Sequence, residues 1–184
     1  MVLPIYIYGS TVLKRKAEQL TPDYPELRQL ISDMRETLAN ADGVGLAAPQ
    51  VGHSIRLFIT DGAPFKDKNP ELATFQRVMI NAEILEYSKE TWTFNEGCLS
   101  VPDIHEDVVR PVKIRVCYLD ENFTEHDEWL DGIAARIVLH EYDHIEGSIF
   151  TEKLSPIRRK MISGKLKNMA RGKASANYKT KLEA

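Results

Sequence analysis

Apolar residues recur along this chain at two spacings, one typical of helices and the other of strands. In residues 26–41 they return at every third or fourth position, which predicts an amphipathic helix. A second helix is predicted to follow Asp131 and to end near Gly147, and a third covers residues 157–170 after Ser155. Four runs rich in apolar and β-branched residues predict strands. They are Ile55–Thr60, Val78–Tyr87, Glu90–Asn95 and Lys113–Leu119.

Length and composition indicate one globular domain with a full hydrophobic core. The chain has 184 residues, 43% of them hydrophobic and 28% charged, which are ordinary values for a soluble protein. Two cysteines, Cys98 and Cys117, are too few for a disulfide framework and favour a reducing compartment. Met1–Tyr8 lacks the basic leader and cleavage site of an export signal, and no apolar run approaches membrane-spanning length. We therefore expect a cytoplasmic protein that does not bind a membrane.

Charge is distributed unevenly between the body of the chain and its end. Residues 153–184 contain ten Lys or Arg and one acid, whereas residues 1–152 contain 14 Lys or Arg and 26 acids. We expect a single domain over residues 1–170, followed by a basic, disordered tail over residues 171–184. A basic end on an acidic body is typical of nucleic-acid binding, although a solvated helix face with a frayed end has the same charge pattern.

The predicted second helix carries the sequence His-Glu-x-x-His, beginning at His140. Residues four positions apart lie on one face of a helix, so His140 and His144 can bind the same metal ion. Glu141 lies on the rim of that face, where it can reach a water on the metal without being a ligand. Ile133 and Ile137 continue the same face, so we expect the site to point into the core. A surface helix with two unrelated histidines is the alternative.

Two imidazoles leave a metal ion under-coordinated, so a third ligand is needed. One class of zinc peptidases supplies it as a histidine six residues beyond the motif, where this chain has Phe150. Another class uses a Glu from a later helix, but no acid lies between Lys153 and Leu182. The third ligand is therefore expected upstream of the motif. Cys98, beside a glycine near a predicted strand, is well placed to be a thiolate ligand, although a lone cysteine is more often a small buried hydrophobe.

A glycine-rich stretch over residues 43–52 lets the backbone approach another group closely. It is not a phosphate-binding loop, because the Gly-Lys-Ser/Thr ending is missing. Gln50 is its one long polar side chain, and the Gln50 amide can donate to a developing oxyanion. A structural glutamine in a tight turn is the alternative.

Three stretches together carry a resemblance to a known family. They are residues 43–50 (Gly-Val-Gly-Leu-Ala-Ala-Pro-Gln), residues 96–100 (Glu-Gly-Cys-Leu-Ser) and residues 140–144 (His-Glu-Tyr-Asp-His). In this order and spacing, the chain resembles the peptide deformylases over about residues 1–170. The resemblance implies a metal-dependent hydrolase that removes the N-terminal formyl group from formylmethionyl nascent polypeptides. It also implies an α+β fold, with antiparallel β-sheets packed around a central metal-binding helix and with an N-terminal and a C-terminal helix.

The resemblance also implies roles for individual residues. It implies one Fe²⁺ ion per chain, with zinc, nickel or cobalt able to substitute. The implied ligands are Cys98, His140 and His144. The implied acid–base is Glu141, and the implied oxyanion donors are Gln50 and the backbone N–H of Leu99.

Substrate contacts and structural support are implied in the same way. The implied substrate-binding residues are Gly45, Phe94, Glu96, Ile133, Arg136 and Ile137. Glu96 also matches a carboxylate that pairs with a downstream Arg, here Arg110, and structural support is implied for Arg110 and Gly43. Arg136 is polar for a methionine pocket, so we expect its aliphatic stem to line the wall while its charged head reaches solvent.

Two other functions remain open from the sequence. An endopeptidase would use the same helix motif, but the missing downstream ligand disfavours it. A non-catalytic metal- or RNA-binding module would account for the basic tail, although an open coordination position argues against a purely structural metal site. In a deformylase, the basic C-terminal helix is a candidate contact with the ribosome, where formylated nascent chains emerge. We expect the protein to be a monomer.

Overall fold

The computed structural model of this protein describes residues 1–183. The helices of this part are α1 (Leu27–Asn40), α2 (Gly132–Ile145) and α3 (Pro156–Met169). The strands are β1 (Ile5–Tyr6), β2 (Gly45–Ala47), β3 (Leu57–Asp61), β4 (Gln76–Tyr87), β5 (Thr91–Cys98), β6 (Val101–Pro111), β7 (Lys113–Leu119), β8 (Glu125–Asp131) and β9 (Thr180–Lys181). None of these helices is long and apolar enough to cross a bilayer.

Antiparallel pairing organises the two larger sheets. One sheet has five strands in the order β2-β3-β4-β7-β8, and the other is the β5-β6 hairpin. A third, short sheet pairs β1 with β9 in parallel. Helix α2 packs against β2, β3, β7 and β8, with α1 earlier and α3 later in the chain. The predicted α+β fold, with antiparallel sheets around a central helix, is confirmed.

Helix α2 is central because most of its residues, polar ones included, are buried. Ala135 and Val138 are fully buried, and Ala134 and Leu139 are nearly so. The helix follows β8 directly through Gly132, whose φ of +54° suits a residue without a Cβ. It ends before Gly147, which is left-handed as predicted and lets the Lys14 carbonyl approach to 2.8 Å from where a Cβ would lie. Strand β8 thus sets the direction in which α2 enters the core.

Strands β6 and β8 were not predicted. Residues alternate between buried and exposed along β6, but two of its buried positions are charged, Glu106 and Arg110. Such charges hide the alternation that normally marks a strand. Strand β8 lies at the edge of the five-stranded sheet, and Leu130 is its one buried residue. A polar edge strand has little hydrophobic pattern to detect.

Helix α3 begins as predicted but packs differently. The Ser155 hydroxyl accepts a hydrogen bond from the Arg158 N–H at 3.4 Å, as expected of an N-cap residue. Ile162 is buried, whereas Ile157 and Met161 are 74% and 67% exposed. Helical spacing predicts that Ile157 and Met161 pack on the same side as Ile162, and this prediction is wrong for both.

The C-terminal segment does not have the disorder predicted for residues 171–184. Strand β9 pairs with β1, aligning Thr180 with Ile5 and Lys181 with Tyr6, and Leu182 packs against a buried cluster that includes Met169. The segment is basic and weakly apolar, so no local pattern predicts its order; its partner is the opposite end of the chain. Residue 184 lies outside the described residues.

Candidate active site

Cys98 and the two histidines of α2 meet between β5 and α2. Cys98 is the last residue of β5, at a point where the pairing with β6 shifts its register. His140 and His144 lie one turn apart on the helix. One donor atom from each of the three residues lies within 4.8 Å of the others, and Cys98 Sγ is 3.3 Å from His144 Nε2. The structure therefore brings together the three residues predicted as metal ligands.

This donor set fits a divalent transition-metal ion. One thiolate and two imidazoles suit iron, zinc, nickel or cobalt better than they suit magnesium or calcium. Bond lengths of about 2.0–2.3 Å in a tetrahedral set place two ligand atoms roughly 3.3–3.6 Å apart, and the sulfur-to-nitrogen distance between Cys98 and His144 is 3.3 Å. Three protein ligands also leave one coordination position for water or substrate, as in catalytic sites.

The two imidazoles differ in their affinity for protons. Burial lowers the pKa of His144 well below its usual range, so this ring is neutral and ready to bind a metal. At His140, burial also opposes the charged form, but hydrogen bonds with Cys98 and Glu96 outweigh it and raise the pKa. The His140 ring therefore favours its protonated form, and a metal ion must displace that proton on binding.

Glu96 orients the His140 ring. Two residues before Cys98, it lies on the same face of β5, and its Oε2 atom is 3.0 Å from His140 Nδ1. Engaging Nδ1 in this way leaves Nε2 of His140 as the free donor atom. Burial opposes the charged form of Glu96, but hydrogen bonds from His140 and Arg110 outweigh it and lower the pKa of this carboxyl far below its usual range. Glu96 is therefore an anion at neutral pH.

The predicted pairing of Glu96 with Arg110 is present. Arg110, near the end of β6, donates from Nε and Nη2 to the two carboxylate oxygens at 2.6 and 2.9 Å. Its third nitrogen, Nη1, donates to Asp143 Oδ2 at 2.8 Å. Because Asp143 belongs to α2, this third hydrogen bond fixes the β5-β6 hairpin to the helix that carries the histidines.

The prediction that the charged head of Arg136 reaches solvent is wrong. Its side chain is 3% exposed, and Nη1 donates to Glu96 Oε1 and to the Val108 carbonyl, both at 2.9 Å. Nη2 donates to the Trp92 carbonyl at 2.8 Å, and the guanidinium carbon lies 4.8 Å from the centre of the Trp92 ring. The head stays inside because Glu96 and two carbonyls replace water around it.

Glu141 lies beside His140 without being part of the ligand cluster. It is 3% exposed, and its Oε2 atom has no hydrogen-bond partner among the described residues. Burial raises the pKa of the Glu141 carboxyl to about 7. A Cβ built on Gly45 would overlap this carboxylate, at 2.7 Å from its carbon atom. Glycine at position 45 therefore makes room for Glu141, and the free oxygen is available to a water or a substrate.

Gln50 and Leu99 flank Cys98 on the opposite side of the cluster. The Gln50 side chain is held by its Oε1, which accepts from the Ala47 N–H at 2.8 Å, and its Nε2 donates to Ser100 Oγ at 3.1 Å. The same nitrogen is 3.7 Å from Cys98 Sγ. Leu99 packs against Gly43, where a Cβ would lie 2.9 Å from Leu99 Cδ1. Both predicted oxyanion donors thus neighbour the sulfur.

A cavity of about 570 Å³ opens beside this cluster. The residues predicted to bind substrate all line it, namely Gly45, Phe94, Glu96, Ile133, Arg136 and Ile137. Its walls are largely apolar, and Glu141 and His140 lie at one end. A cavity of this size with a few convergent polar groups is typical of an active site.

Several cavity residues were not predicted. Phe65 comes from residues 61–73, whose Pro-, Lys- and Asp-rich composition predicts an exposed loop, and residues 175–178 come from the segment that was predicted to be disordered. His105 lacks the spacing of a metal ligand, which favours a surface position, and it is exposed where it lines the cavity. Nothing in the local sequence marks these positions, because each reaches the cavity through a contact with a distant part of the chain.

Comparison with known proteins identifies the same family throughout. The sequence profile described as "Polypeptide deformylase" matches residues 2–160. The chain is 48% identical to "Peptide deformylase" of Christiangramia forsetii over 186 residues, covering 97% of this chain and 95% of that protein. It is 47% identical to "Peptide deformylase" of Flavobacterium johnsoniae over 191 residues, covering 100% of this chain and 97% of that protein.

Solved structures with the same architecture carry the same name. The peptide deformylase of Thermus thermophilus superposes with a TM-score of 0.82 at 35% identity, covering 94% of this chain and all of that one. The peptide deformylase of Legionella pneumophila superposes with a TM-score of 0.80 at 34% identity, covering 93% and 96%. The endopeptidase and the non-catalytic binding module receive no support from these relatives. Because the match spans nearly the full length of both sequence relatives and solved structures, the chain belongs to the peptide deformylase family.

Proposed function

We propose that this hydrolase removes the N-terminal formyl group from formylmethionyl polypeptides during protein biosynthesis and releases formate. One observation carries the proposal. The cysteine sulfur at the end of β5 and two imidazoles from α2 converge beside the buried carboxyl group of Glu141, whose Oε2 atom has no partner among the described residues. This is the arrangement that a metal-assisted hydrolysis of an amide requires.

In this proposal Cys98, His140 and His144 hold one Fe²⁺ ion, and zinc, nickel or cobalt can replace it. The bound ion supplies Lewis acidity, which lowers the pKa of water and polarises a carbonyl oxygen. Glu96 holds His140 in the orientation that offers Nε2, and this contact is expected to raise metal affinity.

Glu141 moves the proton. Its carboxylate takes a proton from the attacking water and later delivers it to the nitrogen of the departing amine. A base is most effective when its pKa lies near the working pH, and burial places the pKa of Glu141 near 7. The free Oε2 atom and the space made by Gly45 allow the carboxylate to reach both groups.

Gln50 and the Leu99 N–H stabilise the negative charge that develops on the formyl oxygen. Both lie next to Cys98, and in this proposal their donors face the formyl oxygen. The Gln50 side chain is already fixed through its Oε1 atom, so little ordering remains to be done during the reaction.

The methionine side chain of the substrate occupies the apolar part of the cavity. Phe94, Ile133 and Ile137 form its walls in this proposal, with Gly45 beside the formyl group. Arg136 takes part through its position in the wall, because its charge is already neutralised by Glu96. A flexible thioether side chain fills such a pocket without needing a polar partner.

We further propose a cytoplasmic monomer whose basic C-terminal helix docks on the ribosome. Its one catalytic domain extends beyond the predicted residues 1–170, because residues 175–178 also line the cavity. Ile157 and Met161 are exposed on α3 among several Lys and Arg side chains. A surface that is both basic and apolar suits ribosomal RNA and protein. Ribosome co-sedimentation of full-length protein, with and without Glu substitutions at Arg159 and Lys160, tests this contact. Equal co-sedimentation of the two proteins contradicts it.

The activity itself is tested with protein purified without oxygen and loaded with iron. Formate should be released from a formyl-Met peptide, whereas the matching acetyl-Met peptide should not be hydrolysed. A protein that contains one iron per chain and releases no formate would refute the proposed function. Cleavage at an internal peptide bond would instead indicate an endopeptidase.

A further inference from the structure

We propose that Tyr178 is a positioning residue for Leu99, through a hydrogen bond from the C-terminal segment to the active-site backbone. The inference rests on the proposed function, because Leu99 supplies one of its oxyanion donors. It gives the C-terminal segment a part in the reaction in addition to any contact that α3 makes with a partner.

The Tyr178 hydroxyl donates to the Leu99 carbonyl oxygen at 2.8 Å. The carbonyl and the N–H of Leu99 flank the same Cα atom, and only the two rotations φ and ψ separate them. Fixing the carbonyl restrains one of these rotations, so the N–H has less freedom to tilt away from the substrate oxygen. Tyr178 also lines the cavity, so this hydrogen bond lies at the site itself.

The next residue, Ser100, is held from two other directions. Its carbonyl accepts from the Tyr8 N–H at 2.8 Å, and its hydroxyl accepts from Gln50 Nε2 at 3.1 Å. The two residues after Cys98 are therefore restrained by the N-terminal segment, by Gln50 and by Tyr178. Tyr178 provides the restraint that acts directly on Leu99.

Tyr178 is held in place because the chain pairs with β1 from the next residue, Lys179, onward. The Lys179 carbonyl accepts from the Ile5 N–H at 2.8 Å, and the Lys181 carbonyl accepts from the Ile7 N–H at 2.9 Å. The Lys181 ammonium also donates to the Tyr6 hydroxyl at 2.9 Å. Burial raises the pKa of Tyr178 further above its usual range, so its hydroxyl remains a donor at all ordinary pH values.

The substitution Tyr178→Phe tests this role, because it removes the hydroxyl and keeps the ring. The matched control is Tyr118→Phe, which removes a hydroxyl that donates to Glu128 at 2.7 Å and belongs to β7, outside the cavity lining. Three quantities are compared in iron-loaded protein: kcat and KM for a formyl-Met peptide, metal content, and the hydrogen-exchange rate of the Leu99 amide.

We expect Tyr178→Phe to lower kcat about tenfold, less than the roughly 10²–10³-fold loss that follows complete removal of an oxyanion donor. KM and metal content should stay close to those of the wild type, because the ring and the three ligands are unchanged. The Leu99 amide should exchange faster in Tyr178→Phe, with no such change in Tyr118→Phe.

Unchanged kcat and unchanged exchange in Tyr178→Phe would overturn the proposal. So would a loss of kcat that is matched by loss of metal, or one that Tyr118→Phe reproduces. If iron-loaded wild-type protein releases no formate, the proposed function fails instead, and the exchange rate of the Leu99 amide still decides whether Tyr178 restrains Leu99.

Discussion

Replacing Glu96 by Gln keeps the shape of a side chain but removes the charge on which four hydrogen-bond donors converge. Arg110 donates twice, at 2.6 and 2.9 Å, and Arg136 donates once, at 2.9 Å. His140 Nδ1 lies 3.0 Å from Oε2, which also accepts from Arg110 Nη2. An amide offers one accepting oxygen and one NH₂ group, so donors on one side of the new side chain would face another donor.

The expected cost follows from the burial of these groups. The side chains of Glu96, Arg110 and Arg136 are all 3–4% exposed, and removing one partner of a buried ion pair destabilises a protein by about 3–5 kcal/mol. In a domain of this size, about 2–4 °C of melting temperature corresponds to each kcal/mol. The metal-free variant should therefore unfold roughly 6–20 °C below the metal-free wild type.

Metal affinity should fall as well, because His140 loses the acceptor that fixes its ring. Loss of such a contact typically lowers affinity by about 10–100-fold. Thermal unfolding of the metal-free proteins, followed by competition with a chelator for the metal, measures the two effects separately.

Glu106→Gln is the matched control. Glu106 stands opposite Glu96 in the pairing of β5 with β6 and is also buried. Its partner, Arg158, has a side chain that is 51% exposed, so the pair contributes only about 0–1 kcal/mol. If Glu96→Gln unfolds at the temperature of Glu106→Gln and keeps full metal affinity, Glu96 does not hold the arginines and His140 in this way.

Three further predictions concern the site itself. Glu141→Gln should keep the metal and lower turnover by at least about 10²-fold. Elemental analysis measures the metal content and formate release measures the turnover; near-normal turnover would contradict the assigned proton transfer. Cys98→Ala should leave the chain largely metal-free because two imidazoles remain, so full occupancy would refute the ligand assignment. Gly45→Ala should lower kcat in a folded protein, because a Cβ there overlaps the Glu141 carboxylate. The control is Gly164→Ala on α3, where a Cβ meets nothing within 4 Å; it should raise stability by about 0.5–1 kcal/mol and leave kcat unchanged. Equal kcat values for these two variants would contradict the steric argument.

The part of the site that the sequence predicts best is the part built within one helix. The spacing of His140 and His144 requires only that α2 be a helix, and its boundaries follow from Asp131 and Gly147 as expected. Cys98 lies 42 residues before His140 in the sequence, and spacing alone leaves open whether the two meet. The residues alone made Cys98 a candidate for the third ligand, and the resemblance to a family was needed to choose that role over a small buried hydrophobe.

Elements whose stability depends on distant partners cannot be predicted from local spacing in this way. Strand β6 buries Glu106 and Arg110, whose charges are compensated by Arg158 and Glu96 from other elements. The hydrophobic pattern of the sequence shows these charged residues but not the opposite charges that compensate them in the fold. The C-terminal segment is a further case, because β9 owes its order to β1, the first strand of the chain.

The error at Arg136 has a physical origin that also explains how a guanidinium fits a methionine pocket. The expectation that its head reaches solvent assumed that water is the only group able to solvate it. Around this site, the buried cations Arg110 and Arg136 are matched by the anions Glu96 and Asp143. These four charges cancel among themselves, and Lys153 adds a partly exposed ammonium 3.3 Å from the other Asp143 oxygen. We infer that Arg136 belongs to the charge balance behind the metal ligands, and that an apolar replacement such as Arg136→Met would leave one buried anion in excess next to His140.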